Sequence, residues 1–339
     1  MAKTNKKDER KRRLLFLIFL FMLTVTIGVT ATYAWFTSNR SISVDPLDVN
    51  VTTVNGLQIS ADGVNWSAKV TRADLEGAKT GEYPWATNQL PATLGAVSTS
   101  GRVTAGLLDM YYGRVTTDER TGNYMLTTTK QTEEINCVGD TACAGKYYIA
   151  FDLFIKADAA MDIVMTRNSG VVTTGDYDRG IQNSARVAFL KEGQYDATTP
   201  VATIQGAKLA TDSKIWEPNY NSHTTQGAQN AYSVYGTTVP IDGTADRLNY
   251  VGVKANIADP GVNIKNTTTD TTNFEPVAIT YETITGNTSD IDFRVGSDKL
   301  EKGITKYRIY WWVEGQDVDA ENNATGTAMR LNLEFAIKT

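Results

Sequence analysis

Near the C-terminus apolar and polar positions alternate with little interruption. Tyr307, Ile309, Trp311 and Val313 alternate with Lys306, Arg308, Tyr310 and Trp312. After the polar stretch EGQDVDAENNATG, Met329, Leu331, Leu333, Phe335 and Ile337 alternate with Arg330, Asn332, Glu334 and Lys338. A period of two marks a half-buried strand. Two such strands around a polar connection predict a hairpin or Greek-key pair in an antiparallel sheet. Upstream, Tyr147, Ile149, Phe151, Leu153 and Ile155 line one face of a further strand, with Asp152 and Lys156 on the other. Met161, Ile163 and Met165 make the next, and Val187 and Phe189 sit in a third.

The same alternation opens the chain beyond residue 40. Ile42 and Val44 alternate with Ser41 and Ser43, Pro46 interrupts, and Leu47, Val49 and Val51 resume. Pro cannot donate to a central ladder, so Pro46 marks an edge or a bend. Asn55-Gly56 reads as a hairpin turn into the short return strand Leu57–Ser60. Residues 71–145 lack sustained periodicity and read as a long insertion containing a few strands, with Leu107, Leu108 and Met110 as one short buried piece, while 205–275 are polar and loop-like, with Trp216, Tyr220 and Tyr250 as anchors. No stretch after residue 40 carries a helical stripe. The predicted class is mostly β, an antiparallel β-sandwich or jelly roll with long loop insertions, preceded by one N-terminal hydrophobic helix.

That helix is Leu14–Phe36, 23 residues with neither charge nor proline. It is long enough to cross a hydrocarbon core of roughly 30 Å. The leader before it holds Lys3, Lys6, Lys7, Arg10, Lys11, Arg12 and Arg13 against Asp8 and Glu9. A basic flank stays cytoplasmic, so the remainder is expected outside, extracellular or at the cell surface. Two readings of the run stand open: a retained anchor, or a signal peptide cut between Ala34 and Trp35, with Thr32 and Ala34 as the small residues before the cut. The domains that follow are 1–34 as leader, 35–46 as an N-terminal arm and 47–339 as the ectodomain. The chain carries −5 and residues 1–13 contribute +5, leaving −10 for the rest. An acidic ectodomain argues against nucleic acid as a partner.

Chemistry is sparse. One histidine, His223, cannot supply a zincin motif, and it reads as a surface or packing residue. No nucleophile elbow, phosphate loop or dinucleotide fingerprint is present, so the chain reads as a non-enzyme. Cys137 and Cys143 close a small loop and, outside the cell, read as a local disulfide. Asp317, Asp319 and Glu321 alternate in the C-terminal turn. They offer oxygen ligands of the kind calcium takes, against the alternative of a solvated turn, and calcium is the one cofactor the sequence allows. A second acidic turn lies at Asp176 and Asp178.

The run T-Y-A-W-F at Thr32–Phe36, after the basic leader and apolar stretch, resembles the end of signal peptides in the TasA/camelysin family of secreted Gram-positive matrix fibre proteins. Ile215–His223 and Tyr310–Asn322 resemble segments of uncharacterised surface proteins of Gram-positive bacteria. The resemblance implies a jelly roll, processing by a dedicated signal peptidase, and assembly into extracellular fibres. In that family an N-terminal segment adds as a strand to a neighbouring subunit. The expected function is therefore a structural subunit of a pilus-like or biofilm-matrix filament at the cell envelope, a homopolymer built by donor-strand addition. Trp35, Phe36, Ile42 and Val44 are the apolar residues of the arm. The alternative is a membrane-anchored, monomeric cell-surface binding or adhesion module.

Overall fold

The computed structural model describes residues 42–44, 47–51, 56–78, 81–131, 133–174, 180–220, 222–232, 251–280, 283–285, 288–290, 300–320 and 328–337. The chain divides into residues 1–32 and 33–339, and only the second contains described residues. Leu14–Phe36 and Ala34/Trp35 thus fall outside them. Among the described residues no helix is long and apolar enough to cross a membrane.

The structure is mostly β, with several sheets. The first strands are β1 (Ile42–Ser43), β2 (Asp48–Val51), β3 (Leu57–Ser60) and β4 (Lys69–Thr71). After the short helix α1 (Arg72–Gly77) come β5 (Gln89–Leu90), β6 (Thr93–Leu94), β7 (Ala96–Ser98), β8 (Tyr111–Thr117), β9 (Tyr124–Lys130) and β10 (Cys137–Val138). The middle of the chain supplies β11 (Ile149–Ala157), β12 (Ile163–Met165), β13 (Gly170–Thr174), β14 (Ala185–Tyr195) and β15 (Lys214–Trp216), then helix α2 (Thr225–Asn230). Last come β16 (Ile257–Asn263), β17 (Gly303–Glu314) and β18 (Ala328–Ile337).

A twelve-stranded sheet is organised around β17. It pairs antiparallel with β11 along one side, from Ile149↔Trp311 to Ala157↔Gly303, and with β14 along the other. A five-stranded sheet is built on β18, which pairs with β12 and β13 on one side and runs parallel to β2 on the other. The inward faces of the two sheets share one core, where Phe189 of β14 meets Phe335 of β18 edge-on at 6.5 Å between ring centres. The far edge of the large sheet is β16, whose exposed Pro260 removes a donor from the open edge.

Two sequence expectations change here. The strands flanking Asn55-Gly56 do not form a hairpin: β2 joins the sheet of β18, whereas β3 pairs with β11 in the large sheet. Nor do β17 and β18 pair with each other, because the connection between them carries the chain from one sheet to the other. In each case the flanking strands bury their apolar positions in the core between the sheets, from opposite sides of it.

Every residue of β17 is buried. Its odd positions, Tyr307, Ile309, Trp311 and Val313, enter the core between the sheets. On the even positions, Tyr310 and Trp312 enter a second apolar layer with Val97, Leu108, Met110 and Leu190. That layer is roofed by residues from 97–112 and 210–215, parts of the segments that read as insertions. Trp311 and Trp312 therefore serve opposite layers. Burying an aromatic of this size contributes of order 4–6 kcal/mol of transfer free energy. On the same face, Lys306 and Arg308 are buried instead of solvated because Tyr83, Thr87, Glu134, Gln205 and Ala207 cover them.

Candidate functional site

The residues expected to form a donor strand are described only in part. Trp35 and Phe36 lie outside the described residues. Ile42 and Val44 are docked on their own domain. Ile42 is fully buried in the main core and pairs with Leu94, Ser43 pairs with Thr93, and Val44 N donates to Ala92 O at 2.9 Å. Val44 also bridges Met329 in the parallel sense. The segment thus lies between β6 on one side and the start of β18 on the other. Immediately after β6 the backbone approaches Tyr147 closely: Gly95 N donates to Tyr147 O at 3.0 Å, and a Cβ on Gly95 would come within 2.8 Å of the ring. Among the described residues, two residue pairs and one bridge hold this segment's backbone, fewer than for any of the long strands.

The C-terminal acidic turn is part of a buried ion-pair cluster. Arg186, at the start of β14, places Nη2 2.8 Å from Glu217 Oε1 and 2.5 Å from Asp317 Oδ2. Asp317 Oδ1 accepts from the Asp319 amide at 2.8 Å. Asp319 Oδ2 is 2.7 Å from His223 Nδ1, and its Oδ1 accepts from both the amide and the hydroxyl of Thr224 at 3.0 and 2.9 Å. Thr224 in turn caps α2 by accepting from Gly227 N. Residues 215–223 and 310–320 thus meet, at their described positions, through Glu217–Arg186–Asp317 and His223–Asp319.

The electrostatics follow from burial. It opposes the charge on Arg186, but Glu217 and Asp317 outweigh it and hold the guanidinium further above its usual range. Burial pushes Glu217 up, and Asp319 likewise. His223 loses hydration, yet the bond to Asp319 and the surrounding carboxylates raise its pKa overall. A cation held by Asp317, Asp319 and Glu321 would have to displace Arg186 or His223 from the first two. Glu321 lies outside the described residues, as do Asp176 and Asp178. Among the described residues no group of His, Cys, Asp and Glu is arranged to hold a metal. Among the described residues, buried His223 Nε2 meets no hydrogen-bond partner.

A second buried network fastens the roof to the large sheet. Asp152 of β11 accepts from Arg308 Nη1 at 2.8 Å, pairs with Lys306 Nζ at 3.1 Å, and accepts from the Tyr83 hydroxyl. Lys306 also donates to Gln205 O and Ala207 O at 2.7 and 2.9 Å, and Arg308 Nε donates to Glu134 at 2.7 Å. Burial works against the Asp152 carboxylate, but Lys306 and Arg308 bring its pKa down to about 2. Nearby Glu192 is buried with one oxygen on Ala210 N at 3.1 Å and the other unpartnered, and burial pushes it up to about 7. Tyr83, Glu134 and Gln205 sit in stretches with no periodicity, so sequence reasoning missed them. The signal it passed over was Lys306 and Arg308 in an otherwise apolar and aromatic strand.

Cys137 and Cys143 are joined in a disulfide, with 5.3 Å between their Cα atoms. Beside α1 lies a cavity of about 440 Å³, bordered by Trp66, Asp62, Asn65, Lys69, Asp74 and Glu82. No family model, curated protein or solved structure matches the chain. The reading of function therefore rests on the groove, the clusters and the cavity themselves.

Proposed function

We propose that the chain is the structural subunit of an extracellular surface filament, pilus-like or of the biofilm-matrix kind, and that its ectodomain is a sandwich of the jelly-roll type. Its partners are further copies of itself, the signal peptidase that cuts between Ala34 and Trp35, and the cell envelope, where Leu14–Phe36 directs it. Its role is mechanical, with no catalytic step and no required cofactor. The observation that carries the reading is the docking of Ile42–Val44. A short apolar segment completes a groove in its own domain through two residue pairs and one bridge. The same segment of a neighbouring copy satisfies that groove identically, which is the condition for strand exchange and for a growing homopolymer. The test is deletion of Trp35–Asp45 from the mature chain, followed by negative-stain microscopy and N-terminal sequencing of the same preparations. Filaments from the intact chain and none from the truncated one are expected. Equal filaments from both would refute the donor strand.

The second reading, a monomeric surface-binding module retained by Leu14–Phe36, is favoured by the cavity at α1. Trp66 and the polar groups around it present one aromatic edge and several acceptors, a combination that suits a glycan. Recovery of an intact 37.1 kDa chain from the cell surface, monomeric in every condition, would favour it.

A further inference from the structure

The disulfide loop lies against the back of the arm's groove. Cys137 and Val138 form β10, which runs parallel to β5 in the register Cys137↔Gln89 and Val138↔Leu90. The Cys137 amide donates to Asn88 O at 3.0 Å. Within the loop, Asp140 points its Oδ1 at the next stretch of the same segment and accepts from the amides of Ala92 and Thr93, both at 2.9 Å. Those two residues are the wall of the groove. The Ala92 carbonyl receives the Val44 amide, and Thr93 is the register partner of Ser43. A charge-assisted acceptor on two successive amides fixes the orientation of the peptide units that carry these contacts. The loop is only six residues from cysteine to cysteine, so closing it leaves Asp140 few positions relative to β10.

We infer that Asp140, held by the Cys137–Cys143 disulfide, is the positioning residue of an acceptor groove for residues 42–44 of a second copy of this chain. Opening the disulfide releases Asp140, lets the Ala92–Thr93 backbone turn, and weakens the seat of the arm. Assembly is thereby tied to an oxidising surrounding. This inference rests on the filament reading above for its partner, but not for the action of Asp140 within one chain.

The experiment uses the full chain, exported by a Gram-positive host and collected at the cell surface. One population carries Ser43→Cys and a second Thr93→Cys; they are mixed and oxidised. Ser43 is exposed and directly opposite Thr93, within the Cα separation that a disulfide spans. Linked dimers are read on a non-reducing gel. Hydrogen exchange at the Val44 amide is read in parallel on chains with the native residues at 43 and 93. The expected results are cross-copy dimers in this background and a loss of about tenfold in both dimer yield and Val44 protection with Asp140→Ala. Asp140→Asn, which keeps the acceptor oxygen, retains most of both. The Cys137→Ser/Cys143→Ser pair behaves like Asp140→Ala. If Val44 protection in Asp140→Ala equals that of the native chain, the positioning role is wrong. If Asp140→Ala exposes Val44 but the two populations never link across copies, the second copy is the wrong partner, and the filament reading falls with it.

Discussion

Replacing Glu192 by Gln tests the electrostatics of the roof in a way that cancels most of the rest of the molecule. Glu192 is fully buried on β14, and the hydrogen bond its side chain accepts from the Ala210 amide can be kept by the Gln carbonyl. Its folded pKa of about 7 stands above the ordinary 4.5. A carboxyl raised in this way binds its proton more tightly folded than unfolded. Its contribution is therefore complete below pH 4.5 and is lost as pH rises through 7. At about 1.36 kcal/mol per pH unit, the interval from 4.5 to about 7 amounts to about 3 kcal/mol. The unpartnered oxygen becomes an amide without a partner, costing about 1–3 kcal/mol, but that term is the same at every pH. The quantity to measure is the difference in melting temperature, Glu192→Gln minus wild type, from pH 4.5 to pH 8. It should climb by roughly 5–10 °C across that interval for a folded unit of this size. A difference that stays flat would show that Glu192 does not titrate there and that its burial is relieved by water or by Lys306.

The ion-pair cluster gives a second expectation. Arg186→Met strands the buried Glu217 and Asp317 and should cost about 3–5 kcal/mol in denaturant unfolding, with part restored by adding Glu217→Gln; a loss under about 1 kcal/mol would mean that the pair is solvated. His223 is raised by Asp319 and faces Asp317 and Glu217 as well, so its contribution is present below its unfolded value of about 6.5 and fades as pH rises through the folded one. Thermal melts should fall between pH 6 and 8 more steeply for wild type than for His223→Gln, and parallel curves would refute the pairing. Thiol titration of the unfolded, non-reduced protein should find none, and Cys137→Ser/Cys143→Ser should lower stability by about 2 kcal/mol through the lost loop closure.

The strands that the period of two marked are present where they are long: β11, β14, β17 and β18 each hold nine residues or more. What alternation could not show was the second burial. Lys306, Arg308 and Asp152 sit on positions that read as a solvent face. They are covered because residues far away in sequence fold over them. β5, β6, β7 and β10 have two or three residues each, too few for any period to be visible, and in β8 and β9 Gly, Arg and runs of Thr break up the apolar positions, so 71–145 read as an excursion with a few unplaced strands. The acidic turn was legible as acidic but not as paired. Asp317 meets Arg186 across 131 positions, and Asp319 meets His223 across 96. An Arg in the apolar run A-R-V-A-F-L, together with the single His of the chain, was the hint that these carboxylates have internal partners.

The placement of β17 bears on the order in which the molecule is made. Its neighbours β7, β11 and β14 are all complete by Tyr195, yet the strand that joins them begins at Gly303. A chain that emerges N-terminus first must carry Ile149–Ala157 and Ala185–Tyr195 without their shared partner for more than a hundred residues of synthesis. The loops that β17 closes onto β11 and β14 form only once Gly303–Glu314 has appeared, the pattern of a slow folder with high contact order. A chain cut short before Gly303 lacks the strand on which both of them pair.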